Sequence, residues 1–267
     1  MACKIIIVGA LGRMGREIGQ LVLSDPSLEL AGCVEIENHP LLRKDYGSLL
    51  GHGQISVPVS SSLDDISCED AVIVNFALPD AIPSFLECIA GKKTRLVIGT
   101  TGLSENVNAR IGEIATELPT VMSPNMSLGI NLLFHLTELA AGRLKDEFDI
   151  EIIEAHHRHK KDSPSGTARR LGEIAARALD VSFDDAVRHG RSGMVGKRTG
   201  KEIGMHAVRG GEIVGDHTVL FAGACEKIEL RHMAQNRAAL ARGALYAAKW
   251  LAQKGPGLYS MRDVLEL

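Results

Sequence analysis

The stretch of sequence that decides the fold is Lys4-Ile5-Ile6-Ile7-Val8-Gly9-Ala10-Leu11-Gly12-Arg13-Met14-Gly15. It begins with an apolar, mostly β-branched run that is typical of a buried strand, and it ends in glycines at every third position. A helical pattern from about residue 13 to residue 24 follows directly. A strand, a glycine-rich turn and a helix in this order predict the first unit of a doubly wound α/β domain.

The same alternation of short apolar strands and helices continues to about residue 126. We expect strands at residues 28–35, 71–76, 95–98 and 120–122, and helices at residues 80–91 and 104–118. Continuous apolar strands that alternate with helices are typical of a parallel sheet covered on both faces. A long apolar helix from about residue 127 to residue 145 comes next, and the pattern then changes, which indicates a domain boundary near Met126.

The second half of the chain has the pattern of a mixed or antiparallel sheet. We expect strands at residues 149–155, 203–208, 212–221 and 227–231. The turns at Gly210-Gly211 and Ala222-Gly223-Ala224 favour antiparallel pairing of the last three. A helix at residues 165–179 would cover only one face of this sheet. Because the other face would remain uncovered, we expect a homo-oligomer that forms through this domain.

A last helix, at about residues 234–254, is expected to return to the first domain. The predicted fold is therefore α/β, with a Rossmann-type doubly wound parallel sheet in residues 1–126 and 236–267. Residues 127–235 are predicted to form a second, α+β domain that binds the substrate and uses its open mixed sheet for oligomerisation.

The composition narrows the class of protein. The chain has 267 residues, of which 45% are hydrophobic and 24% charged, and its formal net charge is -3. These values fit one large or two modest cores and argue against a surface for nucleic acid. The five cysteines are odd in number and form no Cys-x-x-Cys pair, so neither a disulfide framework nor a cysteine metal site is expected. No apolar run reaches the ~18 residues of a membrane span, and we expect a cytoplasmic protein.

The glycine loop from Gly9 to Gly15 predicts a nucleotide site. Glycine allows a tight turn and a close approach of backbone N–H groups to a pyrophosphate, and the following helix directs its positive end at the phosphates. Glu35, 20 residues after Gly15, is placed to accept hydrogen bonds from an adenosine ribose. On the loop alone, a glycine-rich βα turn that binds nothing stays open as an alternative.

Two further turns follow strands of the same predicted sheet. They are Phe76-Ala77-Leu78-Pro79 and Gly99-Thr100-Thr101-Gly102. Because ligands of open parallel sheets lie outside the carboxyl ends of the strands, these turns predict walls for the nicotinamide half of a dinucleotide. Gly99 to Gly102 fits a turn that only starts a helix equally well.

A basic cluster marks the second domain, in the stretch Glu154-Ala155-His156-His157-Arg158-His159-Lys160-Lys161-Asp162-Ser163-Pro164-Ser165-Gly166-Thr167. Histidine titrates near neutral pH and lysine is a cation, so together they can bind carboxylates and donate protons. His156 and Lys160 share a side whether the segment is extended or helical. Ser165 to Thr167 has the pattern of a helix start, whose backbone N–H groups can bind a carboxylate.

Two other interpretations of this cluster compete. It could be a solvated charged loop, or His156, His157 and His159 could bind zinc. No cysteine lies nearby and catalytic zinc sites usually draw ligands at wider spacing, so we expect no metal. Four further histidines stand alone in the sequence and are expected to be structural or exposed, namely His189, His206, His217 and His232.

These motifs resemble those of the 4-hydroxy-tetrahydrodipicolinate reductase family, also called dihydrodipicolinate reductase, of the diaminopimelate and lysine pathway. The resemblance rests on the segments Val8 to Gly15, Gly99 to Gly102, Glu151 to Thr167, Arg209 to His217 and Met261 to Leu265, so it covers essentially the whole chain. It implies the NAD(P)H-dependent reduction of a cyclic, imine-containing dicarboxylate to tetrahydrodipicolinate by a homotetramer.

The resemblance also implies roles for particular residues. His156 would be the proton donor and acceptor and Lys160 the second proton donor. The substrate would be bound by His157, Ser165, Gly166 and Thr167. The cofactor would be bound by Gly9, Ala10, Leu11, Gly12, Arg13, Met14, Gly15, Glu35, Phe76, Gly99, Thr100, Thr101, Ser123, Pro124, Asn125 and Met126, the last four at the nicotinamide.

One departure from the family pattern concerns the choice of cofactor. Many members carry a basic residue directly after the ribose-binding acid, where it can pair with the 2′-phosphate of NADPH, but this chain has Ile36. Leu78 is likewise uncharged where some members have arginine, while Arg13 remains. We therefore expect NADH to be preferred and NADPH to be tolerated.

Two rival functions are compatible with much of the same sequence. One is a dehydrogenase of the same fold that acts on a different small carboxylate, and the other is a non-catalytic nucleotide sensor. A sensor has no use for His156 and Lys160, and a different dehydrogenase should not require the turn after the basic cluster.

Overall fold

The computed structural model describes residues 2–145 and 147–267. By their internal contacts the residues divide into two compact units. The first unit contains residues up to 128 and residues 237–266, and the second contains residues 129–236 and residue 267. Each unit has a sheet and a hydrophobic core of its own.

The described strands are β1 (Cys3–Val8), β2 (Leu28–Val34), β3 (Val59–Ser60), β4 (Val72–Asn75), β5 (Arg95–Ile98), β6 (Pro119–Met122), β7 (Asp149–His156), β8 (Val187–His189), β9 (Ile203–Arg209), β10 (Asp216–Ala222), β11 (Lys227–Met233) and β12 (Gly257–Tyr259). The described α-helices are α1 (Arg13–Ser24), α2 (Tyr46–Leu50), α3 (Ile82–Ile89), α4 (Glu105–Ala115), α5 (Leu128–Leu144), α6 (Gly166–Ala178), α7 (Phe183–Ala186), α8 (Ala238–Leu251) and α9 (Met261–Val264). None of these described helices is long and apolar enough to cross a membrane.

The described strands of the first unit form one parallel sheet, in the order β12-β6-β5-β4-β1-β2-β3. This order confirms the predicted Rossmann-type doubly wound sheet. Along β1, Ile5 and Ile7 belong to one buried cluster while Ile6 and Val8 belong to another. The strand is thus buried on both faces, which is why its sequence is a continuous apolar run rather than an alternating one.

Helices cover both faces of this sheet. Helices α1 and α8 contribute Ile18 and Leu245 to the cluster that contains Ile5. Helices α3 and α4 contribute Leu86 and Ile111 to the cluster on the other face. Each helix buries one apolar stripe, as the spacing of its apolar residues predicts.

The carboxyl ends of the central strands lie level with one another. Val8 pairs with Asn75, Asn75 with Ile98, and Ile98 with Met122. The turns that follow these strands therefore meet at one edge of the sheet, the edge at which open parallel sheets bind ligands.

The described strands of the second unit form a mixed sheet, in the order β11-β10-β7-β9-β8. Strand β7 pairs parallel with β9 and antiparallel with β10, and β10 pairs antiparallel with β11. The predicted pairing of β9 with β10 around Gly210-Gly211 is wrong, because β7 lies between them. The N–H of Gly210 instead donates to the carbonyl oxygen of His156 at 2.9 Å. The strand expected from residue 212 accordingly begins only at Asp216.

The two faces of this second sheet differ. Ile152 and Val219 pack with residues of α5 and α6 in a buried cluster. On the opposite face, which we call the outer face, Ile153, Val208 and Met233 are 38%, 47% and 57% exposed. Strand pairing places these three residues on one side, because side chains alternate along each strand.

Candidate active site

The glycine loop after β1 has a conformation that side chains would obstruct. Gly9 has a φ of +77°, in the left-handed region, and a Cβ there would lie 3.1 Å from the backbone of Ala77. A Cβ at Gly15 would lie 2.2 Å from the carbonyl oxygen of Gly9. The loop therefore lies directly against the first turn of α1, where Gly12 and Arg13 are exposed. The absence of Cβ atoms leaves this helix start open to a phosphate.

Tyr46 on α2 supports this loop. Its side chain is fully buried, and its hydroxyl lies 2.9 Å from the carbonyl oxygens of both Ala10 and Gly15. A phenol has one proton to donate, which these two acceptors share. Burial raises the pKa of the Tyr46 hydroxyl, so the group remains a donor at neutral pH. Sequence reasoning missed Tyr46, because it lies outside every motif.

Glu35, directly after β2, bonds to the same loop. Its carboxylate accepts the N–H of Leu11 at 2.8 Å and the N–H of Ile36 at 3.0 Å. Leu11 and Met14 are themselves half-buried against the core. The acid thus lies beside the glycine loop at the end of a strand, which is where an acidic residue binds the ribose of a dinucleotide. The loop, which lacks a Cβ at Gly9, Gly12 and Gly15, and the adjacent acid together fit a dinucleotide cofactor.

The turns after β4 and β5 contact each other and the glycine loop. Thr100 Oγ1 donates to the carbonyl oxygen of Ala77 at 2.9 Å, and a Cβ at Gly99 would lie 2.3 Å from the ring of Phe76. Ala77 is also the residue against which Gly9 lies. The structure therefore brings these predicted cofactor residues together at one edge of the sheet, and the exposed Thr101 follows them.

The segment after β6 is the last predicted cofactor segment. Ser123 Oγ donates to the carbonyl oxygen of Asn125 at 2.9 Å, and Pro124 is exposed. Met126 and Ala10 are both buried in the core, at 1% and 0% exposure. Neither of these two predicted cofactor residues therefore presents an exposed surface to a ligand.

In the second unit, the carboxylate of Glu154 lies at the centre of a buried hydrogen-bond network. Its Oε2 accepts bonds from His156 Nδ1 at 2.6 Å and from Arg209 Nη1 at 2.8 Å. Its Oε1 accepts bonds from Arg209 Nη2 at 2.8 Å and from the N–H of Ser165 at 3.0 Å. Burial, the largest single influence, acts to raise the pKa of Glu154, but the bonds from Arg209, His156 and Ser165 together lower it. Glu154 is therefore a buried carboxylate ion at neutral pH.

His156 and His217 lie side by side on the inner face of this sheet. Their rings meet edge to face with centroids 5.2 Å apart, and both residues are buried. His217 Nε2 lies 3.1 Å from the hydroxyl of Ser165, which also accepts the N–H of Ala168 and so caps α6. Burial first, and then the charge of His156, lowers the pKa of His217 to about 4. His217 is therefore neutral at neutral pH.

The remaining predicted substrate residues lie just after β7. That strand ends at His156, so Lys160 lies in a turn, where its Nζ donates to Asp162 Oδ1 at 2.8 Å. Arg209, which binds Glu154, also donates to the carbonyl oxygen of Asp162. The ring of His157 lies 6.1 Å from that of His159. Gly166 and Thr167 are the first residues of α6.

Sequence reasoning left Arg209 and His217 without roles in the site. Both lie in the segment from Arg209 to His217 that carries part of the resemblance, which is the only signal that pointed to them. Their contacts with Glu154, His156 and Ser165 depend on the strand order, because β9 and β10 lie on either side of β7.

Comparison with known proteins identifies the family. Residues 3–126 match the family described as "Dihydrodipicolinate reductase, N-terminus", and residues 129–265 match "Dihydrodipicolinate reductase, C-terminus". The chain belongs to the dihydrodipicolinate reductase family. Like the other members, it is an NAD(P)H-dependent oxidoreductase.

Relatives in the dihydrodipicolinate reductase family match the chain along its whole length. It is 45% identical over 264 residues to the 4-hydroxy-tetrahydrodipicolinate reductase of Syntrophotalea carbinolica, with 99% of each chain covered. It is 45% identical over 267 residues to the enzyme of the same name from Thiobacillus denitrificans, with 100% of each chain covered.

Solved structures agree on the fold. A dipicolinate-bound dihydrodipicolinate reductase from Paenisporosarcina sp. TG-14 aligns with a TM-score of 0.76 at 24% identity, over 97% of this chain and 98% of that one. An amine dehydrogenase from Mycobacterium smegmatis aligns with a TM-score of 0.60 at 12% identity, over 98% and 95%. The same two-part fold therefore occurs in dehydrogenases other than members of the dihydrodipicolinate reductase family.

Proposed function

We propose that this chain catalyses the NAD(P)H-dependent reduction of 4-hydroxy-tetrahydrodipicolinate (dihydrodipicolinate) to tetrahydrodipicolinate, in diaminopimelate and lysine biosynthesis. The observation that carries the proposal is the full-length similarity, at 45% identity, to proteins named 4-hydroxy-tetrahydrodipicolinate reductase. The buried Glu154 and His156 pair, followed by the basic turn at Lys160, supports it because this reduction consumes a proton.

The residues of the glycine loop, with Glu35, would hold the pyrophosphate and adenosine ribose of the cofactor. The residues around Phe76, Gly99 to Thr101 and Ser123 to Met126 would line the nicotinamide. When bound, the cofactor supplies a hydride. The chain contributes backbone N–H groups at the start of α1 to the phosphates and a carboxylate to the ribose hydroxyls.

His156 and Lys160 would supply the protons. Addition of a hydride to a conjugated imine leaves enamine-like electron density, which must then take up a proton. A positioned general acid contributes about 10² to 10⁴ in rate. His156 is held by Glu154, and Lys160 is held by Asp162, so a carboxylate fixes the position of each donor.

The dicarboxylate would be bound at the start of α6. Gly166 and Thr167 are the first two residues of a helix of 13 residues, and the side chain of Ser165 caps it. Backbone N–H groups at a helix start favour an anion, because they lack partners within the helix and share the positive end of the helix dipole. His157 and Lys160 would add a hydrogen bond and a positive charge.

NADH would be the preferred cofactor and NADPH a tolerated one. Ile36 and Leu78 are 63% and 77% exposed, so the two sites where a cation would pair with a 2′-phosphate carry uncharged side chains. Glu35 itself would repel that phosphate, and Arg13 is the exposed cation that remains to attract it. The ratio of kcat/KM for NADH and NADPH tests this preference, and a strong preference for NADPH would contradict it.

The chain would act in the cytoplasm as a homotetramer assembled through the outer face of its second sheet. The partly exposed Ile153, Val208 and Met233 on that face support this arrangement, because apolar side chains on an uncovered sheet face favour association. Sedimentation velocity on the wild type and on Ile153→Asp tests it. We expect a tetramer that dissociates in the variant, and a wild-type monomer would refute the assembly.

The reaction is tested by following NADH oxidation with the substrate generated in situ. We expect His156→Ala and Lys160→Ala to lower kcat by about 10² to 10⁴ while NADH binding, followed by fluorescence, stays within about twofold. The matched controls are His159→Ala and Lys161→Ala, which remove side chains of the same two types from positions close by in the sequence. Full activity in His156→Ala and Lys160→Ala would refute the assigned roles, and an inactive wild type would refute the reaction.

A further inference from the structure

We propose that Glu154 is a positioning residue that holds one proton of His156 on Nδ1 and so makes Nε2 the atom that transfers a proton. The transfer rests on the proposed function, whereas the position of the proton on His156 is a property of the chain without substrate. The two can therefore be tested separately.

The Nδ1 atom of His156 faces the carboxylate of Glu154. It lies 2.6 Å from Glu154 Oε2, in a contact where both residues are buried. An ionised carboxylate can only accept hydrogen bonds, so Nδ1 must be the donor. In the neutral ring this places the single proton on Nδ1 and leaves Nε2 with a lone pair.

The other partners of Glu154 keep it ionised. The guanidinium of Arg209 binds both of its oxygens at 2.8 Å, and the N–H of Ser165 donates to Oε1. All of these partners are donors, and Arg209 is a permanent cation. If Glu154 were neutral, its own proton would face the hydrogen of one of these donors, and that hydrogen bond would be lost. Arg209 and Ser165 thus keep Glu154 an acceptor, and that in turn fixes the role of Nδ1.

The Nε2 atom of His156 lies next to Gly215. A Cβ built at Gly215 would lie 3.1 Å from His156 Nε2 and 3.8 Å from His217 Cε1. In the described part of the chain no hydrogen bond joins Nε2 to a protein group. Gly215 therefore leaves the transferring nitrogen uncovered on this side, where a methyl group would crowd it.

The groups that face His156 include a second imidazole, His217. The charged and titratable groups are Glu154 on its own strand, Arg209 on β9, and His217 with His232 behind it on β10 and β11. Lys160, paired with Asp162, is the nearby charge in the following turn. His217 stays neutral, and His156 is the imidazole that Glu154 contacts.

The proposed transfer moves one proton from His156 to the substrate. Protonated His156 carries protons on both nitrogens. The Nε2–H bond breaks, its electron pair stays on Nε2, and the proton passes to the electron-rich substrate carbon. The imidazole left behind already has its remaining proton on Nδ1, bonded to Glu154, so no rearrangement is needed before the next protonation.

The substitution Glu154→Gln tests the inference, because a carboxamide accepts at only one of its two ends. If its oxygen takes the Oε1 position, it satisfies Ser165 and Arg209 Nη2, and its NH₂ group faces His156 Nδ1. His156 is the one partner able to change from donor to acceptor. We therefore expect the neutral ring in Glu154→Gln to carry its proton on Nε2.

The position of the proton is measured by NMR on deuterated full-length protein containing ring-15N histidine, without substrate, with His156 assigned from His156→Asn. We expect a protonated Nδ1 in neutral His156 of the wild type and a protonated Nε2 in Glu154→Gln. A wild-type ring protonated on Nε2, or the same tautomer in both proteins, would overturn the inference even if the enzyme is active.

Measurements of kcat compare Glu154→Gln with a matched control, Glu151→Gln, on the same strand. Glu151 also binds arginines and a histidine, at 2.7 to 3.1 Å from Arg191, Arg198 and His206, but on the outer face. We expect Glu154→Gln to lower kcat at least about tenfold, with little change in the KM for NADH, and to move the fall of kcat at high pH to lower pH. Glu151→Gln should leave the pH profile and the His156 tautomer unchanged. Equal effects of the two substitutions would overturn the inference.

Gly215→Ala is a second variant that leaves Glu154 intact, in case Glu154→Gln fails to fold. Its methyl group would cover Nε2, so we expect kcat to fall at least about tenfold while the Nδ1-protonated tautomer persists. Wild-type kcat in a folded Gly215→Ala would overturn the assignment of Nε2. If the wild-type protein does not reduce the substrate, the proposed reaction fails, and the NMR result still decides the position of the proton.

Discussion

The substitution Gly15→Ala tests whether the glycine loop is a cofactor site or only a tight turn. The new Cβ would lie 2.2 Å from the carbonyl oxygen of Gly9 and 2.6 Å from Cα of Ala10. These atoms belong to backbone, which cannot rotate away as a side chain could. Since non-bonded atoms settle at about 3.5 Å, the start of α1 must move away from the loop by roughly 1 Å.

A shift of this size is enough to break phosphate contacts. An N–H···O bond of about 2.9 Å that lengthens by roughly 1 Å is no longer a hydrogen bond. A bond to a charged group contributes about 1.5 to 3 kcal/mol, and 1.4 kcal/mol corresponds to tenfold in affinity. Loss of one such bond therefore predicts an increase of about tenfold to a hundredfold in the Kd for NADH. The crowding itself should lower the free energy of unfolding by about 1 to 3 kcal/mol.

The matched control is Gly112→Ala, in the middle of α4. A Cβ at Gly112 meets nothing within 4 Å, so the exchange should raise the free energy of unfolding by about 0.5 to 1 kcal/mol through helix propensity alone. Urea unfolding and titration of NADH fluorescence measure both quantities for both variants. A folded Gly15→Ala that binds NADH within about twofold of the wild type would refute the reasoning.

Three further substitutions test the roles of single residues, two in the first unit and one in the second. Tyr46→Phe removes the donor shared by the carbonyl oxygens of Ala10 and Gly15. Urea unfolding should show that the free energy of unfolding falls by about 1 to 2 kcal/mol, and NADH should bind more weakly. An unchanged free energy of unfolding and an unchanged Kd for NADH would show that Tyr46 does not support the loop. Ile36→Arg places a cation next to Glu35, so the ratio of kcat/KM for NADPH to that for NADH should rise about tenfold, and a constant ratio would contradict the cofactor preference. For Glu151, burial acts to raise the pKa, but bonds from Arg191, His206 and Arg198 lower it to about 2. Because the unfolded chain then binds the extra proton first, the free energy of unfolding should fall as pH drops from about 4.5 towards 2, and less so in Glu151→Gln. Equal slopes of unfolding free energy against pH in the two proteins would refute this assignment.

Much of the first unit could be predicted from the sequence, because its signals are local. The apolar run from Ile5 to Val8, the glycine loop and the turn at Gly99 each span only a few residues of the sequence. In a parallel sheet, the turns that follow neighbouring strands lie at the same edge. Tyr46 could not be predicted in the same way. Its bonds to Ala10 and Gly15 span 36 and 31 residues, and no pattern around it marks the contact.

The second unit shows what local patterns leave out. Gly210-Gly211 between two alternating strands favours a hairpin, and the basic turn indicates an anion site, but neither reveals which strand lies between β9 and β10. Without that order, Arg209 and His217 remain separate residues in the sequence. Glu154 and His156 can be placed on one face of a strand by alternation, yet nothing in their own segment identifies the groups that bind them.

The strand order of this sheet accounts for both the failed hairpin and the chemistry of the site. Along the inner face of β7, the buried residues change from Ile150 and Ile152 to Glu154 and His156 as the strand approaches its end. A buried carboxylate is unfavourable unless charged donors reach it. The parallel partner β9 sets Arg209 opposite His156, where it reaches Glu154, and the antiparallel partner β10 sets His217 opposite Glu154. A direct hairpin of β9 and β10 would leave β7 without one of these neighbours. The central position of β7 is therefore what allows an acid and a base to be buried together at the end of an otherwise apolar strand.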